Sequence, residues 1–420
     1  MRRRGVAERS RSRRVLAPLS VLSGSVHSSA LADATPLDQA LLVHLGNGSV
    51  KSLRVREGED ATRLFRRLAV GYGLCSDQAL WTDPLCVSTW RSVTSAFHGL
   101  LSKLFQKGLK LQAEEQASAA IATFEQLIRV APGLALPHVA LGSLQLNLGD
   151  LASAEESLRR GLHLDSTGGW EWLFNYSRFW GALAPRQFGM RPTGVLHIGA
   201  HEARESVLYA LQGIHQVIWV EANPRVTEAL QRNAGRFGHT VHSAMCWNTS
   251  GELRSFHLAS RRHSRDLFTW SSVFRLGGLA RAVGVVPEGT VTVSTQSGRD
   301  ILAAYAAAQQ ERSQRWEAPD YLVLDIHGAE YQCLRGFGAD GLQGFRYVFV
   351  ELSASEVFVG QHRACEVHDL LTGYGFDCKL NCGRCEDLAH YDSFYIRRES
   401  QVPSVEIDAA SLSRMALGLS

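Results

Sequence analysis

In this 420-residue chain the residues whose types and spacing could do chemistry fall into two groups. The first is built around Gly199 and Glu221. Gly199 closes an apolar run over residues 194–200 and is followed directly by His201 and Glu202. Glu221 stands 22 residues further on, at the end of a second apolar run, with Ala222 and Asn223 after it. A small-residue turn lets a ligand approach the backbone, and the helix start behind it offers free N–H groups. An acidic side chain at that distance can accept both hydroxyls of a ribose. The pair predicts a nucleoside pocket. The second group is Asp325, His327 and Glu330, with Glu351 at the end of another apolar run. If the second reactant is an alcohol, it must lose a proton, and these four are the candidates to take or guide it. Asp325 ranks first because it ends the strand expected beside the Gly199 turn. Glu330 either acts there or only caps the backbone of the Gly328 turn.

A dinucleotide would want three glycines under its pyrophosphate. Only Gly199 is present, and Glu202 at the helix start would repel such a group. A cofactor with an adenine, a ribose and a cationic head suits the site better, and S-adenosyl-L-methionine is one. The candidate cofactor residues are His197, Gly199, Ala200, His201, Glu202, Glu221, Asn223, Ala244 and Met245. Among these, His201 and Glu202 could order the amino-acid end, and Asn223, Ala244 and Met245 could flank the adenine.

The segments His197-Ile-Gly-Ala-His-Glu202, Trp219-Val-Glu-Ala-Asn-Pro224 and Leu324-Asp-Ile-His-Gly-Ala-Glu330 resemble the FkbM family of S-adenosylmethionine-dependent methyltransferases. The order and spacing extend over residues 194–397, about half the chain, and take in Ala244, Gly251, Phe256, Ser271-Ser272, Glu351 and Asp392-Ser-Phe-Tyr395. Two positions depart from the family pattern: His327 stands where Gln is usual, and His197 where many members have Asp. The resemblance implies a Rossmann-like, doubly wound α/β sheet and methyl transfer to a hydroxyl on a sugar, lipid or small natural product. Ser271-Ser272 either shapes the acceptor pocket or is solvated loop.

These residues need strands and helices to hold them. Strand and helix alternate along residues 191–400, which predicts an open parallel sheet with helices on both faces. Residues 252–296 read as an irregular insert, and Asp300 as the cap of a helix over 301–309. Ahead of this domain, residues 36–92 predict a small α/β module with a hairpin at Asn47-Gly48 and a helix capped by Asp60. Over residues 97–166 a period of 34 relates Gly108 to Gly142, Ala120 to Ala154 and Phe124 to Leu158. That is the pattern of tetratricopeptide-like helix pairs, a surface on which a protein partner could dock. Residues 167–190 read as a helical linker, 1–35 as a disordered or targeting segment and 401–420 as a tail. A domain cut free of residues 1–185 is expected to stay soluble and to bind cofactor.

The net charge of +3 is carried by the first 14 residues, which hold seven Arg and one Glu. The remainder is slightly acidic, so no nucleic-acid partner is expected. No run reaches the ~18 apolar residues of a membrane span. The Arg- and Ser-rich start leaves the compartment open between the cytoplasm and an organelle or secretory route. The eight cysteines are too sparse for a disulfide scaffold. Cys246 and Cys333 read as buried thiols. Cys378, Cys382 and Cys385 could bind zinc with Cys365 and His368, but cysteines of a hairpin turn are the preferred reading, and no metal is expected. Two other functions compete: a binding protein whose methyltransferase fold has no turnover, and a nicotinamide oxidoreductase, which the glycine pattern disfavours.

Overall fold

The computed structural model describes residues 40–44, 49–71, 74, 80–262, 267–311, 318–382 and 391–398. The chain divides into two compact units, one ending at Leu100 and the other beginning at Leu101. In the first unit, β1 (Ala40–His44) pairs antiparallel with β2 (Val50–Arg54). The expected Asn47-Gly48 turn lies outside the described residues. Asp60 Oδ1 accepts the Arg63 N–H at 2.7 Å and so starts α1 (Ala61–Gly71). Leu64, Phe65 and Leu68 recur at helical spacing on its buried face, and Phe65 meets the rings of Trp81 and Trp90.

Helix α2 (Pro84–Ala113) leads to α3 (Ala117–Val130), α4 (Ala135–Asn147), α5 (Leu151–Leu164), α6 (Ser166–Tyr176) and α7 (Trp180–Gln187). Two of the contacts between these helices are built on glycine. A Cβ on Gly108 would stand 2.5 Å from the Phe124 ring, and one on Gly142 would stand 2.6 Å from Leu158. Both pairs are the residues that the period of 34 relates.

The sheet follows. It contains β3 (Val195–Ile198), β4 (Val217–Glu221), β5 (Thr240–Ser243), and later β9 (Tyr321–Leu324), β10 (Tyr347–Leu352), β11 (Phe376–Leu380) and β12 (Tyr391–Arg397). Between β5 and β9 a smaller sheet is made by β6 (Met245–Trp247), β7 (Leu253–Arg261) and β8 (Val285–Ser297). The connecting helices are α8 (Ser206–Leu211), α9 (Thr227–Gly235), α10 (Gly278–Ala282), α11 (Gly298–Glu311), α12 (Glu330–Leu342) and α13 (Ala364–Gly373). The strand order is β11-β12-β10-β9-β3-β4-β5. Strands β3, β4, β5, β9 and β10 run parallel, and the apolar runs of β3, β4, β9 and β10 are buried, as strands covered on both faces require. This is a Rossmann-like α/β fold. It is not wholly parallel, because β12 runs antiparallel to both β10 and β11.

Three expectations are corrected. The two ends of the insert are regular: β7 and β8 form a long antiparallel pair, interrupted by one irregularity at Leu258/Ala259. Helix α11 starts earlier than residue 301, and Ser297 Oγ accepts the Asp300 N–H in the capping role assigned to Asp300. Helix α7 is part of the sheet's cover rather than a linker. Gly181 packs so closely on the sheet that its Cβ would lie 3.0 Å from Val323, and Tyr321 donates its hydroxyl proton to the Gly181 carbonyl. A cut at residue 185 therefore strips buried Val323 and Phe349 of their cover, and the truncated domain is expected to aggregate.

The cysteines are corrected too. Helix α12 presses on β6 so closely that a Cβ on Gly336 would stand 2.0 Å from the Trp247 carbonyl. There Cys246 and Cys333 lie with Cα atoms 5.1 Å apart and form a disulfide across 87 residues, not two buried thiols. Cys378 and Cys382 form a second disulfide. Cys86 and Cys365 are each disulfide-bonded as well, though not to one another. His368 is hydrogen-bonded to the Tyr395 hydroxyl at 3.2 Å. Cys385 lies outside the described residues. Among the described residues no helix is long and apolar enough to cross a membrane.

Candidate functional site

The chain after β3 goes to one side, into β4, while β9 lies on its other side. Such a switch point opens a crevice at the carboxyl ends of the strands. Gly199 sits there with φ +94°, and a Cβ on it would fall 1.8 Å from the Asp325 carbonyl oxygen. The turns after β3 and β9 therefore touch, and only glycine fits between them. Around them lies a cavity of about 350 Å³, small-molecule size.

On the β4 side, Glu221 binds the backbone with both oxygens. Oε2 accepts the His201 N–H and Oε1 the Asn223 N–H, each at 2.7 Å. Burial raises the Glu221 pKa, and these N–H groups oppose the rise. His201 takes φ +45° in the turn, and its Nε2 is hydrogen-bonded to the Leu267 carbonyl at 2.8 Å. Arg204 pairs with Glu202 at 2.7 Å and also donates to the Asn147 carbonyl at the end of α4. Thus the helices in front of the sheet help to hold Glu202. Asn223 is buried, and its Oδ1 accepts the Arg225 N–H. Ala244 and Met245 carry the wall on towards β6.

On the β9 and β10 side stand Asp325, His327 and Glu351. His327 Nε2 lies 3.8 Å from Asp325 Oδ1 and 3.6 Å from Glu351 Oε2. Its ring stacks on Trp270 and meets Phe358, while Ser272 Oγ donates to its carbonyl at 2.7 Å. Burial, and then the neighbouring Asp325 carboxylate, push the Glu351 carboxyl well above the usual range. Ser271 and Ser272 are both buried, so neither is solvated loop.

Gly199, Ala200, His201, Glu202, Glu221, Asn223, Ala244, Met245, Asp325, His327 and Glu351 all line the cavity. His197 and Glu330 do not. His197 points into the β3–α8 layer, where Nδ1 meets the Tyr209 hydroxyl at 3.1 Å and the ring lies against Trp219. Burial lowers its pKa to about 4, so it is a neutral core residue. Glu330 Oε1 accepts the N–H groups of Ile326 and Gly328, the capping alternative.

Other lining residues carried no signal. Arg178 and Phe179 come from the loop between α6 and α7, before the domain begins. Glu205, whose pKa burial raises to about 7, sits at the same end. Phe268 and Trp270 belong to the insert, as does Phe256, which the family pattern takes in without giving it a role.

Residues 197–378 match the Methyltransferase FkbM domain. No curated protein matches the chain. Among solved structures, the methyltransferase FkbM from Methylobacillus flagellatus KT is similar at 14% identity and TM-score 0.30, over 65% of this chain and 66% of that one. An O-methyltransferase from Bacillus cereus in complex with SAH is similar at 11% identity and TM-score 0.27, over 52% of this chain and 79% of that one. Strand order and the switch point, rather than these partial overlaps, define the fold. Over residues 197–378 the chain is thus similar to the Methyltransferase FkbM domain.

Proposed function

We propose that this domain binds S-adenosyl-L-methionine and transfers its methyl group to a hydroxyl on a sugar, lipid or small natural product. One observation carries the reading: a single cavity holds Glu221 on one side of β3 and Asp325, His327 and Glu351 on the other. Glu221 would take the ribose, with Asn223, Ala244 and Met245 beside the adenine and the Gly199–Glu202 turn at the amino-acid end. The acceptor hydroxyl would lie against Asp325, His327 and Glu351. Methyl transfer is an in-line displacement at the sulfonium carbon, so positioning supplies much of the rate. The acceptor's proton must also leave, and the carboxyl pair lies where it would go.

The helices before the sheet are proposed to be tetratricopeptide-like pairs, on the equivalence of Gly108–Phe124 and Gly142–Leu158. The disulfides favour an oxidising compartment, and hence an acceptor met on a secretory or organellar route. Calorimetric titration of the full chain with S-adenosylmethionine, S-adenosylhomocysteine and NAD tests the cofactor. Binding of the first two and not of NAD is expected; binding of NAD alone would sink the reading.

A further inference from the structure

We propose that Asp325, His327 and Glu351 form a divalent-cation site in the floor of the cavity, where the cation takes up the acceptor's hydroxyl oxygen. The proposal rests on the methyltransferase reading of the same cavity and adds how the acceptor is activated. One ligand atom from each residue falls in a group whose members all lie within 4.8 Å of one another. They come from the ends of two neighbouring strands, β9 and β10, and all three residues line the cavity.

The separations fit a shared ion better than direct contact. At 3.8 and 3.6 Å, His327 Nε2 is too far from either carboxylate oxygen for a good hydrogen bond. Two ligands bound at about 2.1 Å to one ion stand roughly 3.0–3.6 Å apart for angles between 90° and 120°. To close the site the three ligand atoms, all within 4.8 Å of one another, draw together around the ion. The imidazole is already oriented. Trp270 stacks on it with planes 10° apart, Phe358 packs at 5.6 Å, and Ser272 fixes the backbone oxygen. Three protein ligands facing a cavity leave positions for an exchangeable oxygen, the arrangement of a catalytic centre rather than a structural one. One imidazole with two carboxylates suits Mn²⁺ or Zn²⁺ better than Mg²⁺, which prefers oxygen alone.

The step balances without an added redox partner. The cation holds the acceptor oxygen and lowers its pKa, and the hydroxyl proton passes to solvent by way of a carboxylate oxygen that does not bind the cation. The freed oxygen pair forms the O–CH₃ bond while the S–CH₃ bond breaks and its electrons return to sulfur. The products are a methyl ether, S-adenosylhomocysteine and one proton.

The test uses the full chain, stripped by chelator and then saturated with S-adenosylhomocysteine. Mn²⁺ is titrated in, with the free ion followed by electron paramagnetic resonance. One equivalent should bind, Zn²⁺ should displace it, and Mg²⁺ should compete poorly. His327→Gln and Asp325→Asn should each weaken Mn²⁺ by about 10-fold or more. The two substitutions lie on separate positions of the turn, and melting curves identify a variant that has not folded. Protein that binds S-adenosylhomocysteine but no Mn²⁺ would overturn the cation site while leaving the methyltransferase reading intact. Mn²⁺ held equally well by both folded variants would overturn it as well. Failure to bind S-adenosylhomocysteine would instead strike the parent reading.

Discussion

The turns after β3 and β9 are built alike and used differently. Each places residues at positive φ, Gly199 and His201 in one, His327 and Gly328 in the other. Each is tied by a glutamate that accepts two backbone N–H groups: Glu221 for the first, Glu330 for the second. Yet Glu221 lines the cavity with one oxygen on each N–H, whereas Glu330 is buried away from the cavity and uses a single oxygen for both. The same device serves once as wall and once as foundation. What separates the two is which strand end the carboxylate comes from: Glu221 ends β4, while Glu330 begins α12.

The largest expected effect comes where the two turns touch. Gly199→Ala would set a methyl group 1.8 Å from the Asp325 carbonyl at a φ that alanine disfavours. The two turns would have to part, at a cost on the order of 4 kcal/mol or more. Insoluble protein, or loss of the cooperative melting transition, is the expected result. A normally folded variant would show that the turns are not in contact.

Next comes Glu221→Gln. Because each oxygen of Glu221 accepts a different N–H, the amide must turn its NH₂ towards one of them. The turn loosens and a ribose contact is lost together, so S-adenosylhomocysteine affinity should fall about 100-fold or more by calorimetry. Unchanged affinity would mean that the nucleoside lies elsewhere.

Asp325→Asn is expected to leave cofactor affinity near wild type, since the amide fills the same volume. With an acceptor in hand, turnover should fall by about 10²–10⁴-fold. Weakened cofactor binding with turnover maintained would move Asp325 to the cofactor side of the comparison.

How much of this was legible follows from the kind of signal each part leaves. Strands such as Val217–Glu221 and Tyr347–Leu352 announce themselves because burial on both faces demands unbroken apolar runs. Glu221 and Asp325 were legible because carboxylates at the ends of such runs have no packing reason to be there. His197 misled because it sits beside the turn in sequence, while strand alternation points it at Tyr209 and Trp219. The Cys246–Cys333 disulfide depends on α12 returning to β6, a contact that no local pattern encodes. Arg178 was invisible for the same reason, since it reaches the cavity only because α7 packs on the sheet.

The smallest effect, and the sharpest test of the comparison, is Glu330→Gln. Here a single oxygen, Oε1, accepts both N–H groups, at 3.1 and 3.2 Å, so the amide oxygen can replace it without turning. Burial raises the Glu330 pKa to about 7, above its ordinary value near 4.5. The folded protein therefore binds this proton more tightly than the unfolded chain does. The residue's contribution to stability is greatest below pH ~4.5 and is lost as pH rises towards 7. The loss is at most about 3.5 kcal/mol, since a tenfold change in proton affinity corresponds to ~1.4 kcal/mol. Glutamine stays neutral throughout, so the variant should melt higher than wild type above pH 7, and the gain should vanish below pH ~4.5. His197 and His239, whose pKa values burial lowers to about 4, tilt stability the opposite way but equally in both proteins, so they cancel in the difference. Melting temperatures of the two proteins from pH 4 to 8 decide the matter. A variant destabilised at every pH would show that the second carboxylate oxygen matters. Glu330 would then stand closer to Glu221 than the geometry implies.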